Sequence, residues 1–247
     1  MNNQYDQFAR FYRELLTHTG HLKNEQNIVQ QVIKDLGLNL KSAILDAACG
    51  SGELLYALNI LGYKNISGLD ISENMILRAK ELLPNIKFYN TSWQDIAKLQ
   101  LDKNTFDMVI IIGISLLHVA NDEIEGILFN LNKIINKCGV LVLDNRKWIL
   151  NTNNELIDTS KNNKYFRVCE FNLHKQNYHI DEMCYYIKDR QIVKYKVVSL
   201  NDVNEFTFDY LRIKTDSIMK LLYKVGFNRV ENRNVENWPY ELIYSYK

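Results

Sequence analysis

The sequence predicts an α/β fold, a doubly wound and mostly parallel sheet. Three observations carry the prediction: short continuous apolar runs, amphipathic helical stretches between them, and a glycine-bearing turn that joins the first run to a helix. The runs occupy residues 43–47, 66–69, 86–89, 108–112 and 140–143. Each is too short for a helix and apolar at successive positions, as a strand covered on both faces requires. Parallel neighbours need a crossover of a dozen or more residues, and helices of that size fit between the runs.

Ahead of the first run the pattern is helical. A second helix is expected over 24–36, with Ile28, Val32, Ile33 and Leu36 on one face and Gly37 as its stop. Beyond residue 150 an Asn- and Lys-rich stretch gives way to alternation, with Met183, Tyr185 and Ile187 in one segment and Phe206, Phe208 and Tyr210 in another. With Lys188-Asp189-Arg190-Gln191 as a turn, these predict a small antiparallel sheet over about 165–211 that covers the core. A helix over 215–225 ending at Gly226, then strands near 228–231 and 241–246, close the chain. The reading is one domain over 1–247: a helical cap at 1–40, a core at 41–150, a covering sheet at 160–212, and a final helix with two strands at 213–247.

Composition narrows the function classes. Apolar residues make up 47% of the 247 and charged residues 24%, which excludes a disordered or fibrous chain. Thirty basic against 29 acidic residues leave a net charge of +1, without the positive excess that binding a phosphate backbone demands, so nucleic acid is not an expected partner. No stretch approaches the ~20 apolar residues of a membrane span, and the start lacks a signal-peptide pattern. The expectation is a cytoplasmic protein without a membrane partner. Cys49, Cys138, Cys169 and Cys184 show no C-x-x-C spacing and read as reduced structural thiols, and no metal site is expected.

The first strand runs into Asp46-Ala47-Ala48-Cys49-Gly50-Ser51-Gly52. Glycines at such a turn let a ligand approach the backbone in the crevice beyond the strand ends. A dinucleotide fingerprint needs a third glycine three residues after Gly52, where Leu55 stands. Asp46 would repel a pyrophosphate and attract a ligand bearing an ammonium and a sulfonium. Asp70 closes the second strand, where an acid can accept from both ribose hydroxyls; Ser72 suits the N-cap of the next helix better, with Met75 three residues on. Met75 reads equally as core and as a purine contact.

Together these residues resemble the class I S-adenosylmethionine-dependent methyltransferases over roughly 43–143. The resemblance implies a Rossmann-like fold, S-adenosylmethionine as cofactor with S-adenosylhomocysteine as product, and a cofactor site of Asp46, Ala48, Gly50, Gly52, Asp70, Ile71, Met75, Ser92, Trp93 and Gly113. Ser92-Trp93, the segment from Phe106 to His118 and Leu143-Asp144-Asn145-Arg146 look most like the glycine N-methyltransferase group. That finer resemblance implies Trp93 on the adenine and Arg146 on a substrate carboxylate, with Ser115 and His118 facing the acceptor. Tyr5, in Tyr5-Asp6-Gln7-Phe8-Ala9, resembles an N-terminal segment that closes over the cofactor.

The residues carry plainer readings as well. Trp93 fits ordinary core packing, Arg146 fits an ion pair with Asp144, and His118 fits a hydrogen-bonded structural role as well as that of a base. Ser92 could accept weakly from the adenine amino group where many such enzymes have Asp. Ile114 stands where glycine N-methyltransferases have asparagine, which points to another or bulkier acceptor. No Asn-Pro-Pro-Tyr-type segment, the signature of base methylation in nucleic acid, follows the fourth strand. The expected function is methyl transfer to a small molecule, an amine of an amino acid or related metabolite, with Tyr5, His118 and Arg146 as catalytic candidates. The alternatives are O- or C-methylation of a secondary metabolite, a cofactor-binding protein without turnover and, more distantly, a NAD-dependent oxidoreductase.

Overall fold

The computed structural model describes residues 4–99, 105–148, 152, 156, 164–235, 238 and 240–247. Two amphipathic helices lead, α1 (Gln4–His18) and α2 (His21–Leu36). The core follows as β1 (Ile44–Asp46), α3 (Glu53–Ile60), β2 (Ile66–Asp70), α4 (Glu73–Leu82), β3 (Lys87–Asn90), β4 (Phe106–Ile111), α5 (Ile124–Ile134) and β5 (Ile135–Arg146). A meander comes next, β6 (Phe166–Leu173), β7 (Gln176–Ile187), β8 (Arg190–Ser199) and β9 (Val203–Leu211). Helix α6 (Thr215–Lys224), β10 (Arg229–Asn234) and β11 (Tyr240–Tyr246) end the chain.

The main sheet has the order β10-β11-β5-β4-β1-β2-β3, parallel from β5 to β3 and antiparallel where β11 joins β5 and β10. Its central strands are apolar on both faces because helices cover both: Ile44, Leu45, Met108 and Val109 have no exposed surface. The chain leaves β1 toward β2 on one side and returns to β4 on the other. The strand order therefore reverses between β1 and β4, and a crevice opens beyond their carboxyl ends. The apolar run at 140–143 is only the middle of β5, which extends to Arg146 because β11 pairs with it from Val140 to Arg146.

The second sheet, β6-β7-β8-β9, lies after the fifth strand, and its inward residues grip α1. Phe8 stacks on Tyr195 at 5.6 Å between ring centres and meets Phe206 at 4.9 Å, while Phe11 meets Tyr178 at 5.5 Å. The β7–β8 turn is shorter than the four residues expected, since Arg190 and Gln191 already pair with Ile187 and Tyr186. Helix α2 starts at His21, one turn ahead of its expected start. The Asn- and Lys-rich stretch after residue 150 falls largely outside the described residues.

All four cysteines are free. Among the described residues no helix is long and apolar enough to cross a membrane, and no cluster of three His, Cys, Asp or Glu side chains is arranged for a metal.

The layer around the glycine turn is packed too tightly for added atoms. A Cβ at Gly68 would lie 2.7 Å from Phe88 Cδ1 and 2.8 Å from both Cys49 Sγ and Leu55 Cδ1. Gly68→Ala should therefore destabilise the fold by about 1–3 kcal/mol, read as a lower Tm in thermal unfolding.

Candidate active site

A cleft of about 750 Å³ opens at the β1/β4 reversal. Its floor carries Ala48 and Gly50 from the turn after β1, and one wall carries Asp70, Ile71 and Met75 from β2 and α4. Ser92 and Trp93, beyond β3, form the opposite wall, and Gly113, Ser115 and His118 come from the segment after β4. Tyr5 and Tyr12 of α1 reach it from above.

Asp70 sits where the turn and α4 converge. Its Oδ2 accepts from the Gly50 amide at 2.9 Å and its Oδ1 from the Ser72 amide at 2.9 Å. Burial pushes its pKa up, with these bonds and the neighbouring charge of Asp6 as smaller influences. Ser72 caps α4, its Oγ accepting from the Met75 amide at 3.2 Å while donating to Asp6 Oδ1 at 2.6 Å. Asp70 is thus left free of the capping role, and each of its oxygens keeps a lone pair beyond its backbone bond. Met75 is 1% exposed yet lines the cleft, so it serves as core and as wall at once.

Trp93 is pinned by its indole N–H, which donates to the Ala47 carbonyl at 2.6 Å and ties the wall to the end of β1. Ser92 Oγ accepts from the Asp95 amide at 3.2 Å, and Ser115 Oγ donates to the Ile112 carbonyl at 3.0 Å.

Tyr5 and His118 form a direct pair. The Asp209 carbonyl can only accept, so His118 Nδ1 donates to it at 3.1 Å, and Nε2 accepts from the Tyr5 hydroxyl at 2.7 Å. Burial lowers the His118 pKa to about 4, which makes it a neutral ring at physiological pH. The Tyr5 hydroxyl, held well above its ordinary pKa by burial, also hydrogen-bonds Tyr210.

Three predicted residues stand apart from the cleft. Gly52 lies outside the cleft lining and faces α4, where a Cβ would come within 3.2 Å of Ala79 Cβ, so the missing side chain makes room for that helix. Asp46 lines a small adjoining cavity with Glu25 of α2 and Glu53 of α3. Burial pushes Asp46 up to about 7 and raises Glu25 and Glu53 as well, and none of the three has a cation within 4 Å among the described residues.

Arg146 lines a second cleft, which has Tyr5, Tyr12 and Gly113 in common with the first. It forms no ion pair with Asp144. Asp144 instead accepts from the amides of Gly113 at 2.9 Å and Ile114 at 2.7 Å. The guanidinium sits among the rings of Tyr210, Trp148 and Tyr240, 5.6, 5.7 and 5.8 Å from their centres, and hydrogen-bonds the Tyr240 hydroxyl. Its buried Nε has no acceptor, nor has the indole N–H of Trp238 in the same wall. Sequence reasoning missed Glu25, Glu182, Tyr195, Trp238 and Tyr240, which also line this cleft or its threshold. The one available signal was acidic residues inside otherwise apolar or alternating segments, where burial demands a partner.

Reversed strand order, a glycine turn without a third glycine and a strand-end carboxylate give the chain the Rossmann-like fold that S-adenosylmethionine-dependent methyltransferases share. Residues 44–139 match the family model described as a methyltransferase domain. At 28% identity, 145 residues align with the demethylmenaquinone methyltransferase of Staphylococcus aureus (strain JH9), covering 56% of this chain and 59% of that protein. The chain thus spans little more than half the length of the curated relatives it matches. The fold is shared with a S-adenosylmethionine-dependent methyltransferase from Clostridium acetobutylicum ATCC 824, with a TM-score of 0.69 over 98% of both chains at 18% identity. The sugar N-methyltransferase KedS8 from Streptoalloteichus sp ATCC 53650 also shares it, with a TM-score of 0.69 over 90% of this chain and 86% of that one at 18% identity.

The unpaired Asp46 has a thermodynamic signature. Its folded pKa of about 7 exceeds the unfolded carboxylate value, so the native state holds the extra proton between roughly pH 4 and 7 and loses stability as pH rises through that window. Asp46→Asn keeps an acceptor for the Ala48 amide and removes the titration. Its Tm relative to the parent should rise by several degrees between about pH 5 and pH 8, measured without ligand.

Proposed function

We propose that the protein transfers the methyl group of S-adenosylmethionine to the amine of a small molecule that also carries a carboxylate, an amino acid or related metabolite. The observation that carries this reading is the second cleft. It shares Tyr5, Tyr12 and Gly113 with the first, and the orphaned Arg146 Nε and Trp238 Nε1 in its wall are donors without acceptors. Buried donors of this kind are costly unless an anion completes them.

The first cleft suits the cofactor. Asp70 keeps free lone pairs for two ribose hydroxyls, Ile71, Met75 and Trp93 supply apolar walls for a purine, and Ser92 offers an acceptor for its amino group. Ala48 and Gly50 carry the floor, and the acids Asp46, Glu53 and Glu25 suit the ammonium. When bound, S-adenosylmethionine supplies an electrophilic methyl on a sulfonium. The protein's own part is alignment and exclusion of water. Tyr5 takes up the proton of the reacting amine while passing its own to the neutral Nε2 of His118. Ser115 and Gly113 border the space between the clefts.

The resemblance to glycine N-methyltransferases supports the carboxylate role of Arg146, and Ile114, buried where that group has asparagine, directs the acceptor away from glycine itself. The likeness to a sugar N-methyltransferase agrees with nitrogen as the acceptor atom. The neutral His118 also suits an O-methyltransferase, and product analysis separates the two. Incubation with S-adenosylmethionine and a panel of amino acids and amino sugars should release S-adenosylhomocysteine with an N-methylated product by mass spectrometry. No release across the panel, or a product methylated on oxygen or carbon, overturns the assignment.

Two substitutions test the parts separately. Asp70→Ala should weaken S-adenosylhomocysteine binding by about 2–3 kcal/mol in calorimetry, since charge-assisted bonds to both hydroxyls are lost. Arg146→Lys should raise the acceptor KM by about tenfold or more, because a lysine cannot reproduce a two-pronged carboxylate bond, while cofactor affinity stays unchanged.

A further inference from the structure

Among the described residues, Glu182 is the acid on the strands of the covering sheet that has no cation within 4 Å. Successive residues of a strand face opposite sides, so Asp181 points outward and Glu182 toward the core cleft. The outward acids are matched: Asp181 lies 2.6 Å from Arg167, Glu205 2.9 Å from Lys196, and Asp209 3.1 Å from Arg190. Glu182 has no cation within 4 Å among the described residues, although it lines the same cleft as Arg146. Its side chain hydrogen-bonds Tyr195, the residue opposite it on β8. Burial raises its pKa and the more distant Arg146 opposes that rise only in part.

The walls around it are aromatic: Tyr195, Phe208 and Tyr210 line the cleft, and Phe8 stacks on Tyr195. A carboxylate in such a place is costly unless a ligand brings the missing charge. Arg146 stands more than 4 Å from it, and the Arg146 Nε is itself left without an acceptor, so the two charges are not joined in a pair. The cleft therefore holds an unsatisfied donor at Arg146 and a carboxylate at Glu182 that are not paired with each other, together with the Tyr5 hydroxyl.

We propose that Glu182 is a specificity-determining residue that takes a second cationic group of the acceptor, so that the substrate class is a diamino carboxylic acid. The inference rests on the reading of the Arg146 cleft as the acceptor site. In it the carboxylate of the acceptor meets Arg146, one amine stands beside Tyr5 and the other meets the Glu182 carboxylate, with Tyr195 holding that carboxylate in place.

The test is calorimetric titration of protein saturated with S-adenosylhomocysteine, using ornithine and lysine against their apolar counterparts norvaline and norleucine, and 5-hydroxynorvaline as a neutral donor. A diamino acid should bind about tenfold or more tightly than its apolar counterpart. Glu182→Gln should abolish the preference while S-adenosylhomocysteine affinity stays unchanged and Tm does not fall, and Tyr195→Phe should retain it in weakened form. Equal binding of norvaline or of 5-hydroxynorvaline to the parent protein, or a preference that survives Glu182→Gln, overturns the role of Glu182 and leaves the methyltransferase reading intact. Binding of S-adenosylhomocysteine with no binding of any amino acid overturns the carboxylate role of Arg146 and this inference with it. Failure to bind S-adenosylhomocysteine overturns the cofactor reading itself.

Discussion

The carboxylate of Asp144 holds the junction on which both clefts depend. It lies at the end of β5, 1% exposed, and accepts from two consecutive amides across the strand boundary, those of Gly113 and Ile114. Both residues are left-handed, at φ 78° and 56°, and for the β-branched Ile114 that conformation costs about 1–2 kcal/mol. Two charge-assisted bonds offset a cost of this size. The bent segment borders both clefts, so its shape sets how close they come to each other. Ile114 packs into the core at the same time, which closes the floor with an apolar plug.

Helix α1 is the roof over that junction, and it is held from two sides by different physics. Asp6 accepts from Ser72 Oγ and the Asn74 amide at the start of α4, where an acid also favours the positive end of the helix dipole. The aromatic face of the helix, Phe8 and Phe11, is buried against the covering sheet. Tyr5 sits at the helix start between these anchors, and its bond to His118 closes the roof onto the segment after β4.

The charges at the site are distributed unevenly in a way that the folded chain alone does not balance. Asp46, Glu53 and Glu25 gather around one small cavity without a cation, while Arg146 stands in a separate aromatic setting without a bonded carboxylate. Outward-facing acids of the covering sheet, by contrast, have basic neighbours within 4 Å. Unpaired buried charge is expensive, and among the described residues Asp46, Glu53, Glu25 and Arg146 carry that cost at the clefts.

By itself the sequence determined the strand and helix order, because apolar runs covered on both faces and amphipathic helices leave a local periodic signature. The turn after β1, the carboxylate of Asp70 and the capping role of Ser72 were readable for the same reason, since each depends on neighbours within a few residues of chain. Contacts between distant segments carry no such signature. Asp144 looked like a partner for Arg146 two positions away, and only the register of β4 against β5 brought it to the amides of Gly113 and Ile114 instead. Gly52 looked like a ligand contact until the packing of α3 on α4 gave it a steric role, and Glu25 and Glu182 acquired meaning only when α2 and the covering sheet were folded over the core. Strand alternation and helix packing decide which side chains face a cleft, and that choice is made by the tertiary structure because burial is a property of the whole chain.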